Sequence, residues 1–243
     1  MSAAPSMNPI ILLAGVGLWS ALYDEMKRNL AVSIPPEKIF IVPVTTLDWV
    51  GFPPSPERST NRIMKCLHKT IQTVENAFPN EPITLIAHSG SGTVALIYLL
   101  GKSFQGDAYS NKSINKLITL GTPFKSIERY AQLKADFINQ HLTKDFFERV
   151  EVISVASSFR KGNPSGTLQE RMAFEFYRNT FGDGSSDGDG IVPIEACMLD
   201  GVKNVVIEGV EHLPAPFATW YGAKRAVEQW QAFLLPTSTY QFS

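Results

Sequence analysis

The stretch Ile83-Thr84-Leu85-Ile86-Ala87-His88-Ser89-Gly90-Ser91-Gly92-Thr93 constrains the fold more than any other part of the chain. It opens on a short apolar, β-branched run behind the breaker Pro82, the pattern of a buried strand. Val94-Ala95-Leu96-Ile97-Tyr98-Leu99-Leu100 follows, apolar all round, as expected of a helix packed under a sheet. Between them lies a turn of small residues carrying one candidate nucleophile, Ser89. A strand-to-helix turn this sharp strains its central residue and admits only small neighbours two residues away. Ala87 and Ser91 occupy those places, and Gly92 lets the helix lie close to the strand. The turn also directs the N–H of Gly90 to the helix N-terminus, where developing negative charge is favoured. The competing reading is a Gly/Ser-rich loop that merely follows a buried strand. What separates the two is whether a base and an acid follow in order.

Length and composition set outer bounds. A chain of 243 residues holds one large α/β domain or two small ones. A formal net charge of −1 and the lack of a basic stripe leave no electrostatic footprint for nucleic acid. Cys66 and Cys197 lie far apart, form neither a framework nor a metal-ligand spacing, and read as reduced thiols. The apolar run from Pro9 to Leu22 is not a secretory segment: no Lys or Arg precedes Lys27, and Gly15 and Gly17 interrupt it. No other segment approaches the ~18 apolar residues that span a bilayer. The expectation is a soluble, cytoplasmic protein with no transmembrane segment and no nucleic-acid partner.

Strands and helices alternate along the chain. Ile10-Ile11-Leu12-Leu13 reads as a buried strand, and Ala14-Gly15-Val16-Gly17 as a turn open to close approach by a ligand. That turn is no phosphate loop, for it lacks a third glycine and a Lys-Ser/Thr ending. A helix is expected over Ser20 to Val32, with Leu22, Met26 and Leu30 on one face, then a strand from Ile39 to Val44. The proline-rich stretch Trp49 to Arg58 reads as a loop skirting the site. Ser59-Thr60-Asn61 reads as the cap of a helix with Ile63, Cys66, Leu67, Ile71, Val74 and Phe78 at helical spacing. Leu117-Ile118-Thr119-Leu120 is the strand after the elbow helix. Phe124 to Val150 reads as one or two helices with a stripe of Phe124, Ile127, Tyr130, Leu133 and Phe137, either core packing or a substrate-facing lid. A strand from Val150 to Ser154, an irregular excursion from Ser157 to Thr180, a strand at Asn204 to Ile207 and a helix from Trp220 to Leu235 complete the pattern. Such alternation predicts one doubly wound, mostly parallel α/β sheet, with residues 1–243 as a single domain.

A serine hydroxyl needs an adjacent imidazole to act as a nucleophile, and the imidazole needs a carboxylate to fix its tautomer. Four histidines allow elimination. His88 adjoins Ser89 on the turn and must point away from it. His68 sits mid-helix, as a solvated surface residue, and His141 lies among the helices after the Gly-Thr-Pro. His212 remains, just beyond the last strand, where open α/β sheets place functional groups. For the acid, the segment Gly182 to Pro193 offers Asp183, Asp187 and Asp189. Asp183, Ser185, Asp187 and Gly188 also match positions 1, 3, 5 and 6 of a calcium loop, but position 12 is Ile194 and no flanking helix pair is evident. Neither a metal nor a cofactor is expected.

With those residues in view, the chain resembles the α/β-hydrolase superfamily from Ile10 to the terminal helix. The family turn is Gly-x-Ser-x-Gly, and Ala87-His88-Ser89-Gly90-Ser91 departs from it by the next smallest residues. Gly121-Thr122-Pro123 at a strand end and Asp189-Gly190-Ile191-Val192-Pro193 are similar to lipase segments. The family order of serine, acid and histidine then implies Ser89, Asp189 and His212, with Asp187 the second choice of acid. The resemblance also implies a second oxyanion donor from the loop after the first strand. Ala14-Gly15 stands where lipases carry His-Gly, so the donors would be the N–H groups of Val16 and Gly90. The pieces Glu208-Gly209-Val210-Glu211-His212 and Trp220-Tyr221-Gly222 look closest to a compact lipase-like branch found in cyanobacteria and plant plastids. The resemblance implies hydrolysis of a small-molecule or lipid ester through an acyl-enzyme, with lid segments within residues 124–180. An acyltransferase using the same three residues, or a catalytically silent binding protein on this fold, stays open beside it. Trp19, Trp49, Phe52 and Phe124 are the aromatics nearest the suspected site.

Overall fold

A computed structural model describes residues 7–50, 54–104, 106–109, 111–215 and 218–235. In chain order the first half contains β1 (Ile10–Leu13), α1 (Asp24–Leu30), β2 (Ile39–Ile41), α2 (Pro56–Ala77), β3 (Ile83–His88), α3 (Ser91–Leu100) and β4 (Ile114–Leu120). The second half contains α4 (Arg129–His141), α5 (Lys144–Arg149), β5 (Glu151–Ser158), β6 (Arg160–Lys161), α6 (Leu168–Phe181), β7 (Asp187–Gly188), α7 (Ile194–Cys197), β8 (Lys203–Glu208) and α8 (Lys224–Trp230). Six strands form one parallel sheet in the order β2-β1-β3-β4-β5-β8, flanked by helices. β6 and β7 form a separate antiparallel pair.

The doubly wound parallel sheet is as the sequence predicts, and the reason is visible in burial. β1 and β3 are buried along their whole length, the signature of strands covered on both faces. Residues 91–99 of α3 are buried on every side, matching the all-round apolar pattern. Because the strands are parallel, the segments following β1, β3, β4, β5 and β8 all leave the same edge of the sheet.

Several boundaries differ from the sequence reading. The strand expected from Ile39 to Val44 ends at Ile41; Pro43 has no N–H to give, although Val42 still donates to Leu12 O at 2.9 Å. Before α1 the chain runs as a 3-10 turn over Ser20–Tyr23, so Tyr23, not Leu22, shares the buried face with Met26 and Leu30. α2 starts four residues earlier than expected: the hydroxyl of Ser55 accepts from Arg58 N at 3.1 Å and Pro56 opens the helix. The irregular excursion is largely α6, fourteen residues long, begun by a reciprocal cap between Thr167 and Glu170. The stripe after Phe124 is neither one continuous core face nor wholly on one helix, although Phe137 packs against the core. Phe124 precedes α4 and is buried, while Ile127, Tyr130 and Leu133 are exposed.

His68 is not a solvated surface residue. Its Nδ1 lies 2.9 Å from the Tyr98 hydroxyl, and its ring packs 4.8 Å from that of Tyr109. His141 Nδ1 lies 2.8 Å from Phe137 O, one helical turn back.

Candidate active site

The turn after β3 holds Ser89 at φ +56°; among the described residues other than glycine, only Asn80 shares a positive φ. That conformation is costly for an L-residue and persists only where its surroundings fix it. Here Ser89 N donates to Leu120 O at 2.8 Å, and the Thr122 hydroxyl donates to Ser89 O at 2.8 Å. Ser91 is fully buried, its Oγ 2.7 Å from His88 O and 3.1 Å from Leu13 O, so its hydroxyl serves the backbone. Gly92 lies where any side chain would meet Thr122.

The structure brings the three sequence-predicted residues into one chain of hydrogen bonds. His212 Nε2 lies 2.9 Å from Ser89 Oγ, and His212 Nδ1 lies 2.6 Å from Asp189 Oδ2. The network assigns the proton on Nδ1 to Asp189 and leaves Nε2 to accept from the serine. His212 N donates to Asp189 O at 3.0 Å, tying the two loops by backbone as well. Both side chains are buried: Asp189 is 2% and His212 4% exposed. A buried carboxylate needs donors. Oδ1 accepts from Ile191 N at 3.1 Å and Val192 N at 2.8 Å, and Oδ2 accepts from the Tyr221 hydroxyl at 3.1 Å. Burial, with Asp189 beside it, pushes the Tyr221 phenol well above its usual range, so it stays a donor. Gly190 takes φ +96°, which permits so tight a loop, and its N–H donates to the Tyr177 hydroxyl at 2.8 Å.

Asp187 is elsewhere. Its carboxylate accepts from the Ser158 hydroxyl at 2.5 Å and from Gly188 N at 2.8 Å. Asp183 caps its own loop through Ser185 N at 2.9 Å.

His88 does point away from Ser89, but it is not idle. Its Nδ1 lies 2.6 Å from the Tyr23 hydroxyl, which accepts from Gly15 N at 2.8 Å. Its ring packs 4.9 Å from that of His212, and Nε2 is buried without a partner among the described residues. Burial first, and His212 second, hold its pKa well below the usual imidazole range, so it is neutral. Because Gly15 N is taken by Tyr23, the next amide of the loop, Val16 N, is the one left to meet a ligand. Among the described residues neither Val16 N nor Gly90 N donates to a protein acceptor. The two lie together: a Cβ on Gly90 would stand 2.6 Å from Val16 Cγ2.

Ser89 opens into a cavity of about 450 Å³. Val16, Trp49, Val50 and Val192 form part of its apolar wall, and Tyr130 and Lys134 reach it from α4. Of the four aromatics expected nearby, Trp49 lines this cavity, Trp19 is exposed, Phe124 is buried outside the lining, and Phe52 lies outside the described residues.

Sequence reasoning missed Tyr23, Tyr177 and Tyr221 as supports of the site. Only α6 carried a usable signal, the Thr167-x-x-Glu170 capping pattern that would have placed Tyr177 on a helix.

The family model for the alpha/beta hydrolase fold matches residues 8–177, and the chain belongs to that family. Solved structures share the fold at low identity. Lipase BlEst2 of Bacillus licheniformis in its mature form aligns over 96% of this chain and 94% of its own, with 14% identity and a TM-score of 0.62. EstA of Clostridium botulinum aligns over 96% and 89%, with 12% identity and a TM-score of 0.55. The product of gene lin2722 of Listeria innocua aligns over 96% of each chain, with 15% identity and a TM-score of 0.54. No curated protein matches the chain in sequence. Among the described residues no helix is long and apolar enough to cross a membrane, and no group of three metal-ligating side chains comes together.

Proposed function

We propose that this protein is a serine hydrolase of carboxylic esters that works through an acyl-enzyme. One observation carries the proposal: Ser89 Oγ, His212 and the Asp189 carboxylate lie in a continuous hydrogen-bonded chain at 2.9 and 2.6 Å. Ser89 Oγ attacks the ester carbon while its proton passes to His212 Nε2. The buried Asp189 carboxylate stabilises the imidazolium so formed and holds the ring in place. The N–H groups of Gly90 and Val16 receive the oxyanion; one such donor is typically worth about 2.7–4 kcal/mol of barrier. His212 then gives its proton to the leaving alkoxide. A water molecule, deprotonated by His212, releases the acid and restores Ser89.

The cavity beside Ser89 is compatible with a small-molecule or lipid ester, and the segments bearing Tyr130, Lys134 and Thr180 are its proposed lid within residues 124–180. Two structural neighbours, a lipase and a truncated carbohydrate esterase from gut microbiota, are compatible with the same chemistry. The narrower likeness to a cyanobacterial and plastid branch rests on the segments around Thr119, Asp189, His212 and Trp220. A cytoplasmic location is proposed because Cys66 and Cys197 are both free thiols; recovery from an oxidising compartment would overturn that.

A fluorophosphonate with peptide mapping tests the nucleophile, since such reagents phosphonylate serines that have a working base, with loss of fluoride. Label on Ser89 that disappears in His212→Ala is the expected result. Folded protein that takes no label would favour a silent binding protein instead. Transfer of the acyl group to added alcohol, measured in the products, would mark an acyltransferase.

A further inference from the structure

We propose that the Ser89 cavity selects esters that carry an anionic group, a carboxylate or a phosphate, and that Lys134 receives that group. This rests on Ser89 being the nucleophile. Tyr130, Ala131 and Lys134 of α4 line the same cavity as Ser89, at the spacing that puts helical residues on one face. Val16, Trp49, Val50 and Val192 give the lining an apolar part, beside the polar Ser55, Ser59 and Thr60. A cation in such a lining is expensive unless something pairs with it. Among the described residues Lys134 has no hydrogen bond or ion pair. Burial draws its ammonium pKa down, although part of the side chain still reaches solvent.

Glu128 is the carboxylate nearest in influence, and it lines the cavity too. Its carboxylate offsets part of the positive charge but makes no ion pair with Lys134 among the described residues. Oε2 accepts from Tyr130 N at 3.1 Å and Ala131 N at 2.9 Å, capping α4 where the helix dipole favours a negative group. The ammonium of Lys134 therefore keeps N–H donors that no protein acceptor fills among the described residues, and an anionic group on the substrate would accept from them. Ser126 and Thr180 also line the cavity. A lysine that only laid its stem along the helix would make no distinction between anionic and neutral ligands.

Matched alkyl fluorophosphonates test this, one ending in a methyl group, one in a carboxylate and one in a phosphate. Each reaction forms a bond from Ser89 Oγ to phosphorus and releases fluoride. In the unaltered protein an anion-tipped reagent should label Ser89 at least about tenfold faster than the neutral one. That advantage, taken as the ratio of anionic to neutral rates within each protein, should fall to within about twofold in Lys134→Met and survive in Lys134→Arg. Which anionic tip reacts faster decides between carboxylate and phosphate. Equal rates in the unaltered protein, or a preference that persists in Lys134→Met, would overturn the inference while leaving the nucleophile in place. No label on Ser89 from any reagent would remove the esterase assignment and this inference with it.

Discussion

Tyr221 donates its phenol to Asp189 Oδ2 at 3.1 Å, the same oxygen that lies 2.6 Å from His212 Nδ1. One buried oxygen therefore serves both the ring that would take the proton and a tyrosine nine-tenths of the chain away from the strand that starts the sheet. Tyr221→Phe keeps the ring and removes only that donor. A hydrogen bond to a buried charge is worth about 1.5–3 kcal/mol, so urea unfolding should show a loss of that size. Ester turnover should fall by on the order of tenfold, because Oδ1 keeps its two backbone donors and the carboxylate stays roughly aimed. Stability unchanged within about 0.5 kcal/mol would mean the phenol contributes nothing to Asp189.

His88 gives a stability signature in acid. It is fully enclosed by Tyr23, His212, Trp220 and Tyr221, and its pKa in the folded protein lies well below the ordinary 6.5. Below that ordinary value the unfolded chain binds a proton that the folded chain refuses, so stability rises with pH and is lost as pH falls. From about pH 7 to about pH 5, His88 should therefore draw stability away from the fold. Unfolding free energies from urea titrations at the two pH values should differ less in His88→Asn than in the unaltered protein. Parallel losses in both would show that His88 takes up its proton without unfolding.

How far the sequence reached depends on the range of the interactions involved. The turn at Ser89 was legible because its signals are local: a β-branched run, small neighbours and an apolar helix within eighteen residues. The sheet followed from alternation and His212 from elimination and its place beyond the last strand, whereas the choice of Asp189 among three aspartates came from the likeness of its segment to lipases. Long-range pairs left no trace. Tyr23 reaches His88 across 65 positions and Tyr221 reaches Asp189 across 32, and nothing near either tyrosine announces its partner. The α4 stripe failed for a different reason. Helical spacing was counted from Phe124, five residues before the helix begins, so the register that buries Ile138 was lost.

Ser89 should trade stability for position. At φ +56° an alanine keeps the left-handed strain that a glycine lacks. Both substitutions remove the hydroxyl and should abolish ester turnover, so they differ only in the backbone. Glycine should be more stable than alanine at this position by about 1 kcal/mol, the strain relieved less the entropy glycine loses on folding. Thermal or urea unfolding of the two variants measures the difference directly. An alanine variant equal to or more stable than the glycine one would mean the turn relaxes once the side chain is gone.

The proposed oxyanion donors offer the sharpest coupling test. Gly90 has φ −59° and ψ −12°, a conformation alanine accepts, so Gly90→Ala adds no backbone strain. What it adds is a methyl group 2.6 Å from Val16 Cγ2, too close for either to stay in place. Where Val16 yields through its backbone the two amides separate, and kcat/KM for an activated ester should then fall by on the order of tenfold to a hundredfold. Val16→Ala removes the obstructing methyl and leaves the nearest Val16 atom, its Cβ, 3.8 Å away. The double variant Val16→Ala, Gly90→Ala should therefore regain activity to within about threefold of Val16→Ala alone, a strong positive coupling between neighbours. If the two losses simply add, the contact between Val16 and Gly90 does not set the spacing of the amides, and the oxyanion must be held by other donors.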